Sequence, residues 1–190
     1  KNPQSGKNTT IPVQFNPTEY SIQRSLKYES HTGQGEEAHP DDQQASRSGL
    51  AMLNVSLILD TDLGPDYDDV GAMAVMHALA DSGYVDILAT LSSNHDESVV
   101  PCIEVLNTYF NRPSIPVGAP KSEGGVTMTS GHKIKWTEAL PDKYPHKTKK
   151  TSDAPDAVQV YRKVLSAQPD KSVVICTIGF FTNLKDLLHS

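Results

Sequence analysis

The stretch Ile58-Leu59-Asp60-Thr61-Asp62-Leu63-Gly64-Pro65-Asp66-Tyr67-Asp68-Asp69-Val70-Gly71-Ala72 sets an apolar run directly against five carboxylates within ten residues. The run itself, Leu53 to Leu59, is short and rich in Leu, Ile and Val, which predicts a buried strand. After the acids, Val70, Met73, Met76 and Leu79 recur at helical spacing, so a helix is expected over Asp69 to Leu79. Strand, acidic turn and helix make one βα unit.

The alternation repeats downstream. Val85 to Leu91 reads as a second strand, and Glu97 to Phe110 as a helix with Val99, Ile103, Leu106 and Phe110 on one face. Pro101 falls in the first turn of that helix, where a missing N–H is tolerated. Ile115 to Val117 is expected as a brief third strand, Asp156 to Ser166 as a helix, Ser172 to Thr177 as a fourth strand and Thr182 to Leu188 as a last helix. Gly118 to Asp153 is polar and reads as one long loop. The fold class is therefore α/β: an open, mostly parallel, Rossmann-like sheet with helices on both faces.

Upstream of Leu50 the composition changes. Residues 1 to 48 are rich in Ser, Gln, Asn, Gly and Glu, with Ile11 to Phe15 as one strand-like run, and His31 to Ser48 lacks any apolar period and reads as a linker. Two regions are expected: an irregular N-terminal segment of one or two strands at 1–50 and the α/β domain at 51–190. With no initiator Met and no signal-type apolar stretch, the chain reads as a trimmed or partial product.

The net charge of -6 and pI near 5.6 carry no basic surplus, so nucleic acid and anionic membranes are not expected partners. No apolar run approaches the ~20 residues of a membrane helix. A polar small molecule is the expected partner, and self-association is left open. The compartment is open between cytoplasm and periplasm. Cys102 and Cys176 have neither metal-ligand nor disulfide-framework spacing and read as inert buried thiols.

In parallel sheets, ligands bind outside the carboxyl ends of the strands. The acids after the first strand lie at such an end, and mutually repelling anions in one loop call for a hard cation such as Ca²⁺ or Mg²⁺. The plainer alternative is that Asp66, Asp68 and Asp69 charge a helix N-terminus, which explains one or two of the five. An EF-hand loop is excluded by Gly64, Pro65 and Gly71, which stand where a ligand, a glycine and a glutamate are required. A haloacid-dehalogenase-type phosphatase also begins with a strand and D-x-D. It would use Asp60 as nucleophile, but usually has Thr or Val where this chain has Gly64.

The Ile58 to Ala72 stretch resembles the opening signature of the inosine/uridine-preferring nucleoside hydrolases. Asn94 falls where that family has an active-site asparagine, Asn111 to Pro120 is similar to its third-strand segment, and Thr177 to Leu184 resembles its Gly-x-x-Thr-Asn turn. The resemblance spans roughly Val55 to Ser190. It implies that Asp62 and Asp69 ligate Ca²⁺ together with the Thr177 carbonyl, and that Asp62 is also the general base. Asp68 and Asn94 would hydrogen-bond the ribose, with Asp60 supporting the ligands from behind. The implied reaction is calcium-activated hydrolysis of a nucleoside to free base and ribose. The family's second half supplies further site residues beyond Ser190, so little catalysis is expected from this polypeptide alone. His95 and His189 read as exposed histidines without a site role. Separately, Ile11 to Ile22 resembles the start of tube or baseplate-associated proteins of contractile injection systems, and Ser48 to Leu57 fits their next strand. A fusion of two gene fragments would account for both resemblances.

Overall fold

The computed structural model describes residues 54–121, 126–129, 131 and 135–190, within a compact unit Arg47–Ser190. The expectations for residues 1–53, including Ile11 to Phe15 and Leu53, lie outside the described residues.

Four parallel strands form the sheet: β1 Val55–Thr61, β2 Val85–Ser92, β3 Val117–Gly118 and β4 Val173–Thr177, in the order β3-β2-β1-β4. Helix α1 spans Asp68–Asp81, α2 Val99–Tyr109, α3 Trp136–Ala139, α4 Ala157–Ser166 and α5 Thr182–Leu188. Alternation along β1 divides the core. Leu57 and Leu59 face Met73 and Met76 of α1 and Val99, Cys102, Ile103 and Leu106 of α2. Ile58 faces Ala157 and Tyr161 of α4 and Leu184 and Leu187 of α5. Helices thus cover both faces, as the doubly wound pattern requires. No helix among the described residues is long and apolar enough to cross a membrane.

Local chemistry sets the element ends. Gly83, at φ +76°, closes α1 by letting the Gly83 and Tyr84 N–H groups reach back to the Ala80 and Leu79 carbonyls, so the helix runs two residues past the expected Leu79. Asp156 is not the first helical residue of α4 but its cap, accepting from the Val158 N–H at 2.9 Å. The third strand is Val117–Gly118 rather than Ile115 to Val117, because Pro116 has no N–H to donate and offers only its carbonyl, to Thr90. Glu97 and Ser98 precede α2 instead of opening it.

Two corrections concern larger features. The supposed Gly118–Asp153 loop contains α3 and a 3₁₀ turn at Thr151–Asp153, both too short to leave a period in the sequence. Cys102 is fully buried, its thiol pushed up to about 12 by burial, but Cys176 is only half-buried. Away from the sheet ends, buried His77 stacks on Phe110 at 4.5 Å and pairs with Asn107 at 3.1 Å, tying α1 to α2.

Candidate active site

The strand order makes β1 and β4 neighbours whose connecting segments leave on opposite faces. The crevice outside their carboxyl ends is the topological switch point where such sheets bind ligands. The acidic stretch sits there. Strand β1 runs on past the expected Leu59 to Thr61, so Asp60 belongs to the sheet and is fully buried opposite Thr177 of β4.

A buried carboxylate needs donors. Asp60 receives the Tyr161 hydroxyl at 2.8 Å and the Asn183 amide at 3.1 Å. Burial raises its pKa to about 6, against the lowering effect of Tyr161, Asn183 and Ser93, and the charge of Asp62 adds to the rise. Asp69, on the first turn of α1, accepts from the Thr61 hydroxyl and is likewise raised to about 6, by burial first and then by the charges of Asp62, Asp68 and Asp66. Asp62 is raised too, by burial and by the charges of Asp66 and Asp68. The carboxylates therefore share one repulsive field.

Ligand oxygens of Asp66, Asp68 and Asp69 lie within 4.8 Å of one another, a spacing that fits a single cation, with Asp66 and Asp68 exposed and Asp69 buried. Asp62 is outside that trio, though it is electrostatically coupled to it. Three buried oxygens of the β4–α5 region, Thr177 Oγ1, Thr182 Oγ1 and Asn183 Oδ1, have no hydrogen-bond partner. The crowded carboxylates are a donor set suited to a hard divalent ion.

Asn94 lies at the end of β2, tied into the backbone around it. It is fully buried, and its amide nitrogen donates to the Asp62 and Met128 carbonyls, both at 2.9 Å. Its oxygen accepts from the Asp96 and Met128 N–H groups, both at 3.0 Å. Both donors and both acceptor positions are spent on backbone, so the side chain ties three loops together. His95 is half-buried rather than exposed, and His189 is exposed at the end of α5, as expected.

Several residues of the site carried no functional signal in the sequence. Tyr161 reads only as one apolar position of α4. Ser93 accepts the Phe180 N–H at 3.0 Å and so joins the β4 turn to the β2 end. Trp136 donates from Nε1 to the Pro65 carbonyl at 2.7 Å, fastening the acidic turn to α3. Asp96 accepts from Lys135 at 2.8 Å and from Ser98, and is held at about 2 because these donors outweigh its burial.

A family model described as contractile injection system tube protein matches residues 1–83, less than half of the chain. A search of curated proteins returned no match. Among solved structures, the chain is similar to the type III effector protein XopQ complexed with adenosine diphosphate ribose, at 17% identity over 80% of this chain and 44% of that one, with a TM-score of 0.53. It is also similar to a plant nucleoside hydrolase, PpNRh1, at 23% identity over 71% of this chain and 42% of that one, with a TM-score of 0.49. The chain spans less than half the length of each. The likeness to the effector establishes a shared α/β fold and nothing finer.

Proposed function

We propose that residues 54–190 form the metal- and ribose-binding part of a nucleoside hydrolase-type site, whose reaction is hydrolysis of the N-glycosidic bond of a ribonucleoside. The observation that carries this reading is the convergence of Asp60, Asp62 and Asp69 at the β1–β4 switch point, each with its pKa raised and none with a cationic partner among the described residues. A divalent cation resolves that repulsion. The XopQ structure, which shares the α/β fold, holds a ribose-bearing ligand, adenosine diphosphate ribose.

In this reading Asp62, Asp69 and the Thr177 carbonyl hold Ca²⁺, with Asp66 and Asp68 close enough to Asp69 to contribute. When bound, the ion supplies the Lewis acidity that makes water a nucleophile near neutral pH. The carboxylate of Asp62 accepts the proton of the attacking water, and Asp68, exposed at the mouth, fixes the ribose hydroxyls. Positive charge developing at the anomeric carbon is favoured by the surrounding carboxylates as the bond to the base breaks. Asp60 acts from behind, held by Tyr161 and Asn183, and Asn94 acts through the Asp62 backbone it clamps.

The test is a calcium titration by calorimetry on the wild type and on an Asp62→Ala, Asp69→Ala double variant, with inosine and uridine hydrolysis followed on the same samples. Saturable binding lost in the double variant supports the reading. A folded wild type that binds no calcium ends it.

The tube-protein match, which covers residues 1–83 and so overlaps β1 and α1, favours a second reading for the N-terminal part: a tube-like segment upstream of the α/β domain. Electron microscopy of the full chain tests it. Rings or tubes support a structural role, and a monodisperse monomer argues against one.

A further inference from the structure

Tyr67 stands between Asp66 and Asp68, two members of the carboxylate trio, and is 68% exposed. Its ring lies against Trp136, centroids 5.3 Å apart with the planes tilted by 31°. Trp136 is itself fixed, since its indole N–H is spent on the Pro65 carbonyl at 2.7 Å. A tyrosine that served only to pack α3 onto the acidic turn would bury its ring. This one leaves most of its surface in water, backed by a rigid indole, beside the carboxylates.

An exposed aromatic ring in the same turn as a cation-suited carboxylate cluster matches a ligand with two unlike ends: a polyol that engages the metal and carboxylates, and a flat π system. Stacking on an aromatic side chain is tolerant of base identity, because every base presents a π face. We infer that the Tyr67–Trp136 pair is the stacking platform for the base of a ribonucleoside whose ribose occupies the carboxylate cleft, an inference that rests on the function proposed above. The rival surface is the β4–α5 turn, where Ile178 and Phe181 are 41% and 68% exposed. The tyrosine is favoured because its ring is preorganised on a hydrogen-bonded tryptophan, whereas Phe181 has no comparable support among the described ring contacts.

Trp136 is the only tryptophan of the chain, so its fluorescence reports directly on the platform. In calcium-containing buffer, inosine and uridine are expected to change Trp136 emission saturably, and ribose alone is not. Tyr67→Ala should weaken nucleoside binding by roughly 5- to 150-fold, the range spanned by base–aromatic stacks. Tyr67→Phe and Phe181→Ala should each stay within about twofold of wild type, as stacking needs the ring and not its hydroxyl. Calcium affinity, measured by calorimetry on the same variants, should not move. If calcium binds but Tyr67→Ala leaves nucleoside affinity unchanged, or Phe181→Ala is the variant that loses it, the platform is overturned while the proposed function stands. If wild type binds no calcium, the proposed function and the platform fall together.

Discussion

Gly179 sits so close to Asp62 that a β-carbon at position 179 would lie 2.5 Å from the Asp62 backbone nitrogen and 2.5 Å from Ser93 Oγ. No side chain fits there. The β4–α5 turn therefore touches the acidic turn only because residue 179 is glycine, and the Phe180 N–H completes the junction on Ser93. Gly179→Ala must push apart two segments that are both anchored in the sheet, an overpacking that costs about 1–3 kcal/mol. The expected outcome is a lower melting temperature and calcium affinity at least tenfold weaker than wild type. A variant with unchanged calorimetric affinity would show that the acidic turn and the β4 end act independently.

Asn94 makes a different kind of junction, since its four hydrogen bonds hold the Asp62 carbonyl, the Asp96 N–H and both backbone groups of Met128. Asn94→Ala strands these groups, and the buried Asp96 N–H left unsatisfied costs roughly 1–3 kcal/mol. Asn94→Asp keeps the shape and the acceptors but loses both donors and brings a further negative charge to the field. Faster hydrogen exchange and proteolysis are expected around residues 126–129 in both variants, with the alanine form less stable than wild type. If either variant matched wild-type protection there, the clamp would have no energetic weight.

How far the sequence discloses this arrangement depends on the range of the interaction. The βα alternation, the parallel sheet and the Asp60 to Asp69 turn are legible because strand and helix periods are local and five acids in ten residues have few other uses. Helix α3 escapes because four residues complete only one turn. The role of Tyr161 escapes for another reason: it pairs with Asp60 across 101 residues, and its hydroxyl leaves no trace in an apolar stripe. Asn94 was visible as a polar residue at a strand end, but its four backbone partners include Met128, contributed by a segment that reads as featureless loop. The carboxylate trio at 66, 68 and 69 is also a product of turn geometry, which spacing alone does not give.

The Tyr161 hydroxyl gives a direct test of the support behind the site. Tyr161→Phe preserves the packing of α4 on Ile58 while removing one donor from a buried carboxylate whose pKa already stands at about 6. Desolvation then meets less opposition and the Asp60 pKa rises further. The expected loss is about 1–3 kcal/mol of stability at neutral pH, where Asp60 must carry its charge. Urea denaturation at pH 7 and pH 5 checks this. The penalty should shrink at the lower pH, and a penalty equal at both would assign the loss to packing rather than to the carboxylate.

Acid stability should depend on the Asp96–Lys135 pair. The folded value of Asp96, about 2, lies below its usual 3.8. Its contribution to stability is thus full above about pH 4 and disappears as the pH falls toward 2. Lys135→Met removes the donor nearest Oδ2 and leaves only Ser98 and Thr129 to oppose burial, so the folded value rises and the loss begins at higher pH. Acid unfolding followed by circular dichroism should show the variant's midpoint displaced upward. Superimposable acid transitions for the two proteins would leave the pair with no role in holding the segment around α3.

Thr177 separates a ligand from its side chain. Its Oγ1 is buried without a hydrogen-bond partner, while the role proposed for it in calcium binding belongs to the backbone carbonyl. Replacing an unpaired buried hydroxyl by a methyl group of similar shape removes a desolvation cost, so Thr177→Val is expected to be neutral or stabilising by up to about 1 kcal/mol. Calcium affinity should then stay within about twofold of wild type, because the main chain of β4 is unchanged and still pairs Thr177 with Asp60. Loss of calcium binding in a folded Thr177→Val protein would move the ligand from the carbonyl to the hydroxyl, and would give the orphaned oxygen its missing partner: the metal.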